Sequence, residues 1–502
     1  LEAVAGEGLS PADQANMAFR GCLVTGGSAR GLVVATGQQT EMGRIAEVLS
    51  SEPKVKTPLQ QRLARFGRYL ALAVLAICAI VFTAGLLQGQ PMLLMFLTAV
   101  SLAVAAIPEA MPAVITVSLA LGARKLTRHH ALIRNLPAVE TLGSVTCICA
   151  DKTGTLTCNQ MTVEAFYYAG QRQASLEPGA VATELGQAIA LNNDVVAEAD
   201  TPTGEPTELA LYIAALQAGF DKETLAAQFP RQGAIPFDSE RKRMSTLHRM
   251  GSAAVVYVKG APEQVIPLCV SQHREGEGEN GNHNLEHKAL LQEAESLAAE
   301  GYRVLAFARR ELDLLPPEPS PGEVEQQLAF LGLVALIDPP REEVPQAVDD
   351  CLAAGIKPMM ITGDHPGTAL AIARRLGIVE EGAGALSGEE LAALDDEALQ
   401  HAVDTVRVFA RVTPEQKLRI VKALQQRGEF VAMTGDGDKD APALKRANIG
   451  IAMGQTGTDV AREAADLVLL DDNFATIVSA VREGRSMFDN IRKFNKDTMS
   501  SN

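Results

Sequence analysis

Residues 144–150 read SVTCICA, an apolar run that predicts a buried strand ending directly at Asp151. Two later apolar runs are each followed by Thr-Gly-Asp; they are KPMMI at residues 357–361, before Asp364, and EFVAM at residues 429–433, before Asp436. Stretches with the apolar spacing of a helix lie between these two runs, at residues 366–376 and 414–427. Strands that alternate with helices in this way predict βα units and a parallel sheet.

The aspartates after the three strands predict a phosphate site. Ligands of parallel sheets bind beyond the carboxyl ends of the strands, so we expect Asp151, Asp364 and Asp436 at one edge of the sheet. Lys417, at the start of the second helical stretch, is expected there too. Carboxylates alone would repel a phosphate, but Mg²⁺ between them and the phosphate oxygens reverses the sign of the interaction. The set therefore predicts phosphoryl transfer with Mg²⁺.

The composition indicates an acidic, folded chain with several domains. Its 502 residues correspond to about three domains. Acidic residues outnumber basic ones by 61 to 45, and the net charge of -16 argues against nucleic acid as a partner. The seven cysteines are scattered, as is typical of a reducing compartment. The chain begins Leu1-Glu2-Ala3-Val4, so we expect a fragment of a longer protein.

Two long uncharged runs predict two transmembrane helices and contact with a lipid bilayer. The first covers residues 69–88, and the second extends over residues 91–122, interrupted by IPEAMP at residues 107–112. Basic residues flank both outer ends, which places these ends in the cytoplasm; they are Arg62, Arg65 and Arg68 before the first run and Arg124, Lys125, Arg128 and Arg134 after the second. The alternative is a buried helical hairpin of a soluble protein.

Glu109 is a carboxylate near the middle of the second run, where a charge is costly. The neighbouring Pro108 and Pro112 disturb the helix and free backbone carbonyl oxygens. Together these oxygens could bind a hard cation, so Glu109 is a candidate ligand of a transported ion. The alternative is a proline kink whose glutamate is protonated or pairs with another helix.

Residues 151–157, DKTGTLT, resemble the phosphorylation motif of P-type ATPases. Four further motifs follow in the order of that family; they are KGAPE at 259–263, DPPR at 338–341, TGD at 362–364 and TGDG at 434–437. The resemblance covers nearly the whole chain, and the PEAMP around Glu109 is similar to the calcium-pump branch. It implies an α/β fold with a haloacid-dehalogenase-like, doubly wound parallel sheet, an inserted α+β nucleotide-binding domain, a partial β-rich actuator domain and the two transmembrane helices.

The resemblance also implies an order of parts along the chain. They are a partial actuator domain at residues 1–55, two transmembrane helices at 56–125, the phosphorylation domain at 126–158 and 331–488, the nucleotide-binding domain at 159–330, and the start of a truncated membrane segment at 489–502. It further implies a multi-pass membrane protein, in the plasma membrane of a bacterium, with cytoplasmic catalytic domains.

The same resemblance assigns roles in catalysis. Asp151 would attack the γ-phosphate of ATP and form an aspartyl-phosphate, and Mg²⁺ would bind Asp151, Asp436 and the backbone carbonyl of Thr153. Related phosphatases carry an acid where this chain has Thr153, so the phosphoenzyme should be long-lived. The whole catalytic set is Asp151, Lys152, Thr153, Thr155, Thr362, Gly363, Asp364, Lys417 and Asp440.

Nucleotide binding is implied for the inserted domain. The chain has no GxxxxGK[ST] loop, so ATP is not held by a Walker-type motif. The residues that match the adenine and phosphate contacts of the family are Glu208, Phe237, Lys242, Lys259, Arg303 and Arg341. An aromatic face for adenine and basic groups for phosphates suit this ligand.

One motif departs from the family pattern. Relatives usually read Gly-Asp-Gly-Val-Asn-Asp where this chain has Asp438 and Lys439 in place of Val and Asn. A lysine at this position could pair with Asp151 or Asp440 and compete with Mg²⁺. The implied function is ATP-driven cation transport, with Ca²⁺ favoured. Two alternatives stay open: a phosphatase with the same core, and a catalytically impaired nucleotide-binding membrane protein.

Overall fold

The structure is a computed structural model that describes most of the chain. The described residues are 14, 16–19, 22, 30–51, 58–105, 110–177, 179–196, 202–251, 253–272, 285–314 and 319–500. The chain divides into two compact units. The first unit comprises Leu1–Leu156, Glu342–Gly363 and Leu376–Asn502, and the second comprises Thr157–Arg341 and Asp364–Arg375.

The described residues form sixteen strands. In chain order they are β1 (Ala131–Ile133), β2 (Cys147–Asp151), β3 (Thr162–Tyr168), β4 (Gln171–Gln173), β5 (Arg231–Asp238), β6 (Arg243–Met250), β7 (Ala253–Gly260), β8 (Cys269–Gln272), β9 (Arg303–Leu312), β10 (Leu328–Ile337), β11 (Lys357–Ile361), β12 (Leu386–Ser387), β13 (Val408–Ala410), β14 (Val431–Gly435), β15 (Ile449–Met453) and β16 (Leu467–Leu469).

The same residues form nineteen α-helices. They are α1 (Glu41–Ser51), α2 (Pro58–Leu87), α3 (Met92–Ala105), α4 (Ala110–Arg128), α5 (Leu136–Leu142), α6 (Ala180–Leu191), α7 (Pro206–Gln217), α8 (Lys222–Gln228), α9 (Pro262–Val265), α10 (His287–Ala299), α11 (Pro321–Val324), α12 (Val344–Ala353), α13 (Pro366–Arg375), α14 (Gly388–Ala393), α15 (Asp396–Thr405), α16 (Pro414–Gln426), α17 (Ala441–Arg446), α18 (Asp459–Ala464) and α19 (Phe474–Ser500).

The first unit contains an eight-stranded sheet in the order β1-β16-β15-β14-β2-β11-β13-β12. All neighbours are parallel except β1, which is antiparallel to β16. The central strands β2, β14 and β15 are buried along their whole length, as expected for strands covered on both faces. The predicted parallel α/β sheet is therefore confirmed, with the strand before Asp151 at its centre.

Helix α16 shows how the local sequence positions one part of the site. Thr413 caps the helix: its hydroxyl accepts the backbone N–H of Gln416, and the Gln416 side chain accepts the N–H of Thr413. Pro414 occupies the first turn, where a missing N–H costs nothing. The buried face of α16, which includes Ile420 and Leu424, packs into the core of the sheet and thereby buries Lys417 in the helix's second turn.

The second unit is built on a mostly antiparallel sheet in the order β4-β3-β10-β9-β7-β6-β5, with β8 parallel to β10. Alternate residues of β7 pack on opposite faces: Tyr257 joins the core under helices α6 and α7, and Val258 joins the core under α10. The sheet therefore has a hydrophobic core on each face, in agreement with an inserted α+β domain.

The borders of the units differ from the domain borders implied by the sequence. The second unit begins at Thr157 and continues to Arg341, whereas the predicted nucleotide-binding domain covers residues 159–330. Strand β10 accounts for the later border, because it pairs with β3 and β9 inside the second sheet. The apolar composition of β10 does not reveal which sheet it joins. Similarly, the predicted border at residue 489 falls inside α19.

The predicted membrane helices are only partly represented. Among the described residues, one helix segment, Gly67–Leu87 within α2, is long and apolar enough to cross a membrane. The second predicted run contains α3, whose 14 residues are shorter than the roughly 20 that a span needs, and α4. The prediction of two transmembrane helices is therefore not confirmed. Glu109 lies outside the described residues.

The predicted β-rich actuator part is also not confirmed. In the described residues between 14 and 51, the structure contains a 3₁₀ turn at Gly37–Gln39 and helix α1, and no strand. Much of the stretch before residue 30 lies outside the described residues.

Candidate active site

Asp151 is the last residue of β2, at the carboxyl edge of the first unit's sheet. Its side chain is almost completely buried, with the residue 7% exposed. Its backbone N–H donates to the hydroxyl of Thr434, which lies on the neighbouring strand β14, at 2.9 Å. On the other side, Asp151 stands opposite Ile361 in the register of β11, so Thr362 follows directly beside it. The sheet thus fixes the backbone of Asp151 from both sides.

Lys417 joins two buried carboxylates. Its Nζ lies 2.6 Å from Oδ2 of Asp151 and 2.8 Å from Oδ1 of Asp440. Lys417 is 3% exposed and Asp440 is completely buried. Burial by itself would lower the pKa of Lys417, but the charges of Asp151 and Asp440 outweigh it and raise the pKa above the usual range. Lys417 is therefore a permanent cation that neutralises one of the two carboxylates.

Asp440 is held by the backbone of the preceding turn. Its Oδ2 accepts the N–H groups of Asp436 and Gly437, at 3.3 and 3.1 Å. The turn approaches Asp440 so closely that a Cβ on Gly435 would lie 2.4 Å from the Cβ of Asp440. Only glycine fits at position 435, and this explains why the strand ends in Thr-Gly before Asp436.

Three carboxylates of this edge can hold one metal ion. Oxygen atoms of Asp151, Asp436 and Asp440 lie within 4.8 Å of one another. Burial and the charges of the other two carboxylates raise the pKa of Asp436, against the opposing effect of Lys439 and Lys417. A set of ligands that are all oxygen atoms, with more negative than positive charge around it, suits a hard cation such as Mg²⁺. The structure thus brings together the predicted Asp151 and Asp436, and it adds Asp440 to the candidate ligands.

The chain turns sharply after Asp151, through residues Lys152–Leu156. Thr153 has an extended backbone, and Gly154 has a φ of 75°, in the left-handed region that glycine adopts without strain. Lys152 and Thr155 are buried, and the Thr155 hydroxyl contacts the sulfur of Met453 at 3.5 Å. The predicted role of the Thr153 carbonyl at the metal stays a prediction.

The Thr-Gly-Asp after β11 is divided between the two units. Thr362 is buried, and its backbone N–H and carbonyl are hydrogen-bonded to Phe409 and Val412. Gly363 ends its part of the first unit, whereas Asp364 begins the second unit's segment Asp364–Arg375. The supporting role predicted for Asp364 stays a prediction.

Lys439 does not pair as the sequence suggests. It lies in the 3₁₀ turn Asp438–Asp440 with its side chain exposed, and it forms no ion pair with any residue that the structure describes. Asp151 and Asp440, the expected partners, are both bound by Lys417. The possible pairing of Lys439 with Asp151 or Asp440 is therefore not present in this structure, although the charge of Lys439 still acts on the pKa of Asp436.

Asp472 is a residue of the site that the sequence analysis missed. Its buried carboxylate accepts the N–H groups of three successive residues, Gly454, Gln455 and Thr456, at 2.6, 3.1 and 2.9 Å. The same loop continues to Thr458, whose N–H donates to the backbone carbonyl of Asp436 at 2.8 Å. Asp472 therefore orders the loop behind Asp436, a candidate metal ligand. The only signal in the sequence is the run Asp-Asp-Asn before α19.

The six predicted nucleotide-binding residues all lie in the second unit. Lys259 is buried, with Nζ 2.6 Å from Glu208 Oε2 and 2.5 Å from the carbonyl of Asn192. Its burial lowers the pKa of Lys259, and the charge of Glu208 opposes this. Arg303 begins β9 and donates to the hydroxyl of Thr207, beside Glu208, at 2.9 Å. The start of α7 thus connects three of the six residues.

Two further nucleotide candidates lie on the β5–β6 hairpin. Phe237 is 63% exposed, although aromatic side chains are usually buried. Lys242 is also exposed, and its Nζ lies 3.4 Å from Oε1 of Glu263. An exposed aromatic ring and an exposed lysine on the same hairpin suit a nucleotide base and its phosphates. Arg341, the sixth residue, is half-buried and lies four residues after the end of β10.

Comparisons with known proteins agree with this division of the chain. Residues 182–343 match the family model described as P-type ATPase, cytoplasmic domain N, and this range contains all six nucleotide candidates.

Nearly the whole chain is also similar to curated proteins. A probable cation-transporting ATPase F of Mycobacterium tuberculosis is 45% identical over 99% of the chain. Calcium-transporting ATPase 1 of Bacillus cereus is 44% identical over 96%, and the calcium-transporting ATPase of Bacillus subtilis is 43% identical over 98%. The chain spans 58%, 54% and 58% of the length of these relatives.

Proposed function

We propose that this chain is part of a P-type ATPase and that it transfers the γ-phosphoryl group of ATP to Asp151 in a Mg²⁺-dependent reaction. The observation that carries this proposal is the ammonium group of Lys417 between Asp151 and Asp440, inside a group of three carboxylates that can hold a metal ion. This arrangement combines a nucleophile with the positive charge that a phosphoryl group requires.

The reaction that we propose is an in-line displacement at phosphorus. An Oδ of Asp151 forms a bond to the γ-phosphorus, and the bond to the oxygen bridging the β- and γ-phosphorus atoms breaks, so ADP leaves with the electron pair. Lys417 binds the carboxylate of Asp151 before the reaction and would stay beside the new phosphate. Mg²⁺, when bound, supplies the charge that neutralises the phosphate oxygens among the carboxylates.

The phosphoenzyme is expected to persist after its formation. Thr153, two residues after the nucleophile, has no acidic proton to give to a leaving carboxylate, so rapid hydrolysis lacks a general acid at this position. This favours a pump over the alternative of a phosphatase, because a pump needs an intermediate that lasts through a conformational change.

We propose that ATP binds to the second unit. Phe237 would stack on the adenine ring, and Lys242, Lys259, Arg303 and Arg341 would neutralise phosphates. Glu208 holds Lys259 in place and would accept hydrogen bonds from the nucleotide. The match of residues 182–343 to cytoplasmic domain N supports this assignment.

The relatives whose names refer to cation transport are longer than this chain, which spans 58% and 54% of their length. We propose that the whole protein moves a cation, with Ca²⁺ favoured, across the bacterial plasma membrane. Two observations support this: relatives named calcium-transporting ATPases, and a helix segment at Gly67–Leu87 long enough to cross a bilayer. Glu109 is the proposed ligand of the cation in this chain.

Phosphorylation of Asp151 can be tested directly. The chain is incubated with γ-labelled ATP and Mg²⁺, quenched in acid, and the protein-bound label is counted. We expect acid-stable label that hydroxylamine releases, and we expect Asp151→Asn to reduce it by at least about a hundredfold, because an amide is a poor nucleophile. The matched control is Asp459→Asn, which changes an exposed aspartate and should retain full labelling. Absence of label in the unmodified chain, or full labelling of Asp151→Asn, would contradict the proposal.

A further inference from the structure

Glu325 has a completely buried carboxylate in the second unit. It directly follows the last residue of α11 and precedes β10 by three residues. Both of its oxygens bind Nη1 of Arg241, at 2.7 and 2.8 Å. Oε2 also accepts Nε of Arg243 at 2.8 Å, and Oε1 accepts the hydroxyl of Ser245 at 2.6 Å. One carboxylate therefore binds three side chains of the β5–β6 hairpin, about eighty residues away in the sequence.

The two arginines flank Lys242, a nucleotide candidate. Because Arg241 and Arg243 both turn inward to Glu325, the residue between them is directed outward, and Lys242 is indeed more than half exposed. Lys242 has a φ of 48°, a strained conformation for a residue with a side chain. The hydrogen bonds of its neighbours and its own backbone bonds to Asp238 and Ala261 hold it in this conformation.

The same contacts hold the backbone beside Phe237. The second amino group of Arg241, Nη2, donates to the carbonyl of Pro236 at 2.9 Å. This bond matters because β5 is an edge strand, and its register with β6 is irregular between Ile235 and Asp238. Pro236 and Phe237 therefore lack partners in the β ladder, and Pro236 has no N–H to donate. Arg241 supplies the missing connection.

We propose that Glu325 is a positioning residue that sets the geometry of the nucleotide-binding hairpin, residues 236–243, without touching the nucleotide. The inference rests on the proposed binding of ATP to the second unit. Glu325 fixes both arms of the hairpin through Arg241 and Arg243, so the ring of Phe237 and the ammonium of Lys242 are preorganised for a base and a phosphate.

The effect of removing the charge of Glu325 distinguishes a positioning role from a purely electrostatic effect on ATP binding. Glu325 balances one of the two arginines, so the cluster carries one net positive charge. Replacing Glu325 by Gln raises this charge by one, and simple attraction would then strengthen the binding of the polyanion ATP. The positioning role predicts the opposite change.

The test measures binding of trinitrophenyl-ATP to the full chain through the fluorescence of this probe. ATP is then added to displace the probe, which gives the affinity for ATP. We expect Glu325→Gln and Arg241→Lys each to weaken ATP binding about tenfold. Arg241→Lys keeps the charge and loses the forked contact to Glu325 and Pro236, so it is informative even if Glu325→Gln fails to fold. Phosphorylation of Asp151 at saturating ATP should keep its maximal rate while the KM for ATP rises.

The matched control is Glu184→Gln, which breaks the ion pair between Glu184 and Arg309, 2.5 Å apart in the same unit. Circular dichroism confirms that each variant is folded at the temperature of the binding measurement. Unchanged ATP affinity in both Glu325→Gln and Arg241→Lys, or equal weakening in Glu184→Gln, overturns the inference. Absence of nucleotide binding in the unmodified chain instead overturns the proposed function.

Discussion

Lys417 and Lys439 are two lysines at one acidic site with opposite surroundings. Lys417 is buried between two carboxylates, whereas Lys439 is exposed in the turn next to Asp436. A buried ammonium with two partners is part of the site's fixed charge, since removing it would leave carboxylates uncompensated. An exposed ammonium next to a metal site instead reduces the local negative potential that attracts Mg²⁺.

Lys439→Asn should therefore strengthen the interaction with Mg²⁺. We expect the Mg²⁺ concentration that gives half-maximal labelling of Asp151 to fall about three- to tenfold, because one repulsive charge is removed near Asp436. Added salt should narrow the difference between the two proteins, since an exposed charge is screened. Lys288→Asn, which removes an exposed lysine in the second unit, is the control. Equal Mg²⁺ requirements of Lys439→Asn and the unmodified chain would show that Lys439 does not oppose the metal.

Strand β6 contains a buried histidine with a consequence for acid stability. His248 packs against Tyr257, and its Nδ1 lies 3.0 Å from the carbonyl oxygen of Phe229. Burial lowers the pKa of His248 from 6.5 to about 4, and the carbonyl of Phe229 only partly offsets this. The unfolded chain therefore binds a proton at pH 5 that the folded chain does not.

The sign of the pH effect follows from this difference. Stability from neutral His248 is fully present above pH 6.5 and is lost as the pH falls from 6.5 toward 4. Between pH 6.5 and 4, the unfolding free energy of His248→Gln should therefore fall by about 2–3 kcal/mol less than that of the unmodified chain, as measured by urea denaturation. The control, His401→Gln, changes an exposed histidine and should leave the pH dependence unaltered. The same acid-side loss in His248→Gln and the unmodified chain would contradict the prediction.

The strands and helices around the site were predicted from sequence more accurately than their contacts. Strand β11 has the predicted ends, and β2 and β14 begin two or three residues later than the apolar runs and extend into Asp151 and Gly435. These strands are readable because parallel strands are buried on both faces and are therefore continuous apolar runs.

The contacts were harder to predict because their partners are distant in sequence. Lys417 and Asp151 are separated by 266 residues, and no local pattern indicates that one lysine binds Asp151 and Asp440 together. The contacts of Asp472 and Glu325 were hard to predict for the same reason. In each case a single buried carboxylate accepts hydrogen bonds from several donors of another segment. Sequence spacing predicts which element a residue belongs to, whereas tertiary packing decides which donors meet each carboxylate.

The chain contains two compact units, and the two units share no hydrophobic core among the clusters of the described residues. The first core surrounds the parallel sheet, with Cys147, Met433 and Phe409 among its members. The second unit has one core on each face of its antiparallel sheet, represented by Leu185 and Leu297. Units with separate cores can unfold in separate transitions, so the stability of each unit is measurable within the intact chain.

Calorimetry of the full chain in detergent should therefore show two unfolding transitions. Lys417→Met leaves Asp151 and Asp440 buried without their cation, and we expect one transition to fall by about 5–10 °C. Glu184→Gln breaks a pair in the second unit and should lower only the other transition, while ATP should raise that same transition by mass action. If both substitutions shifted a single common transition, the two units would be one cooperative folding unit, and the expectation of two transitions would be wrong.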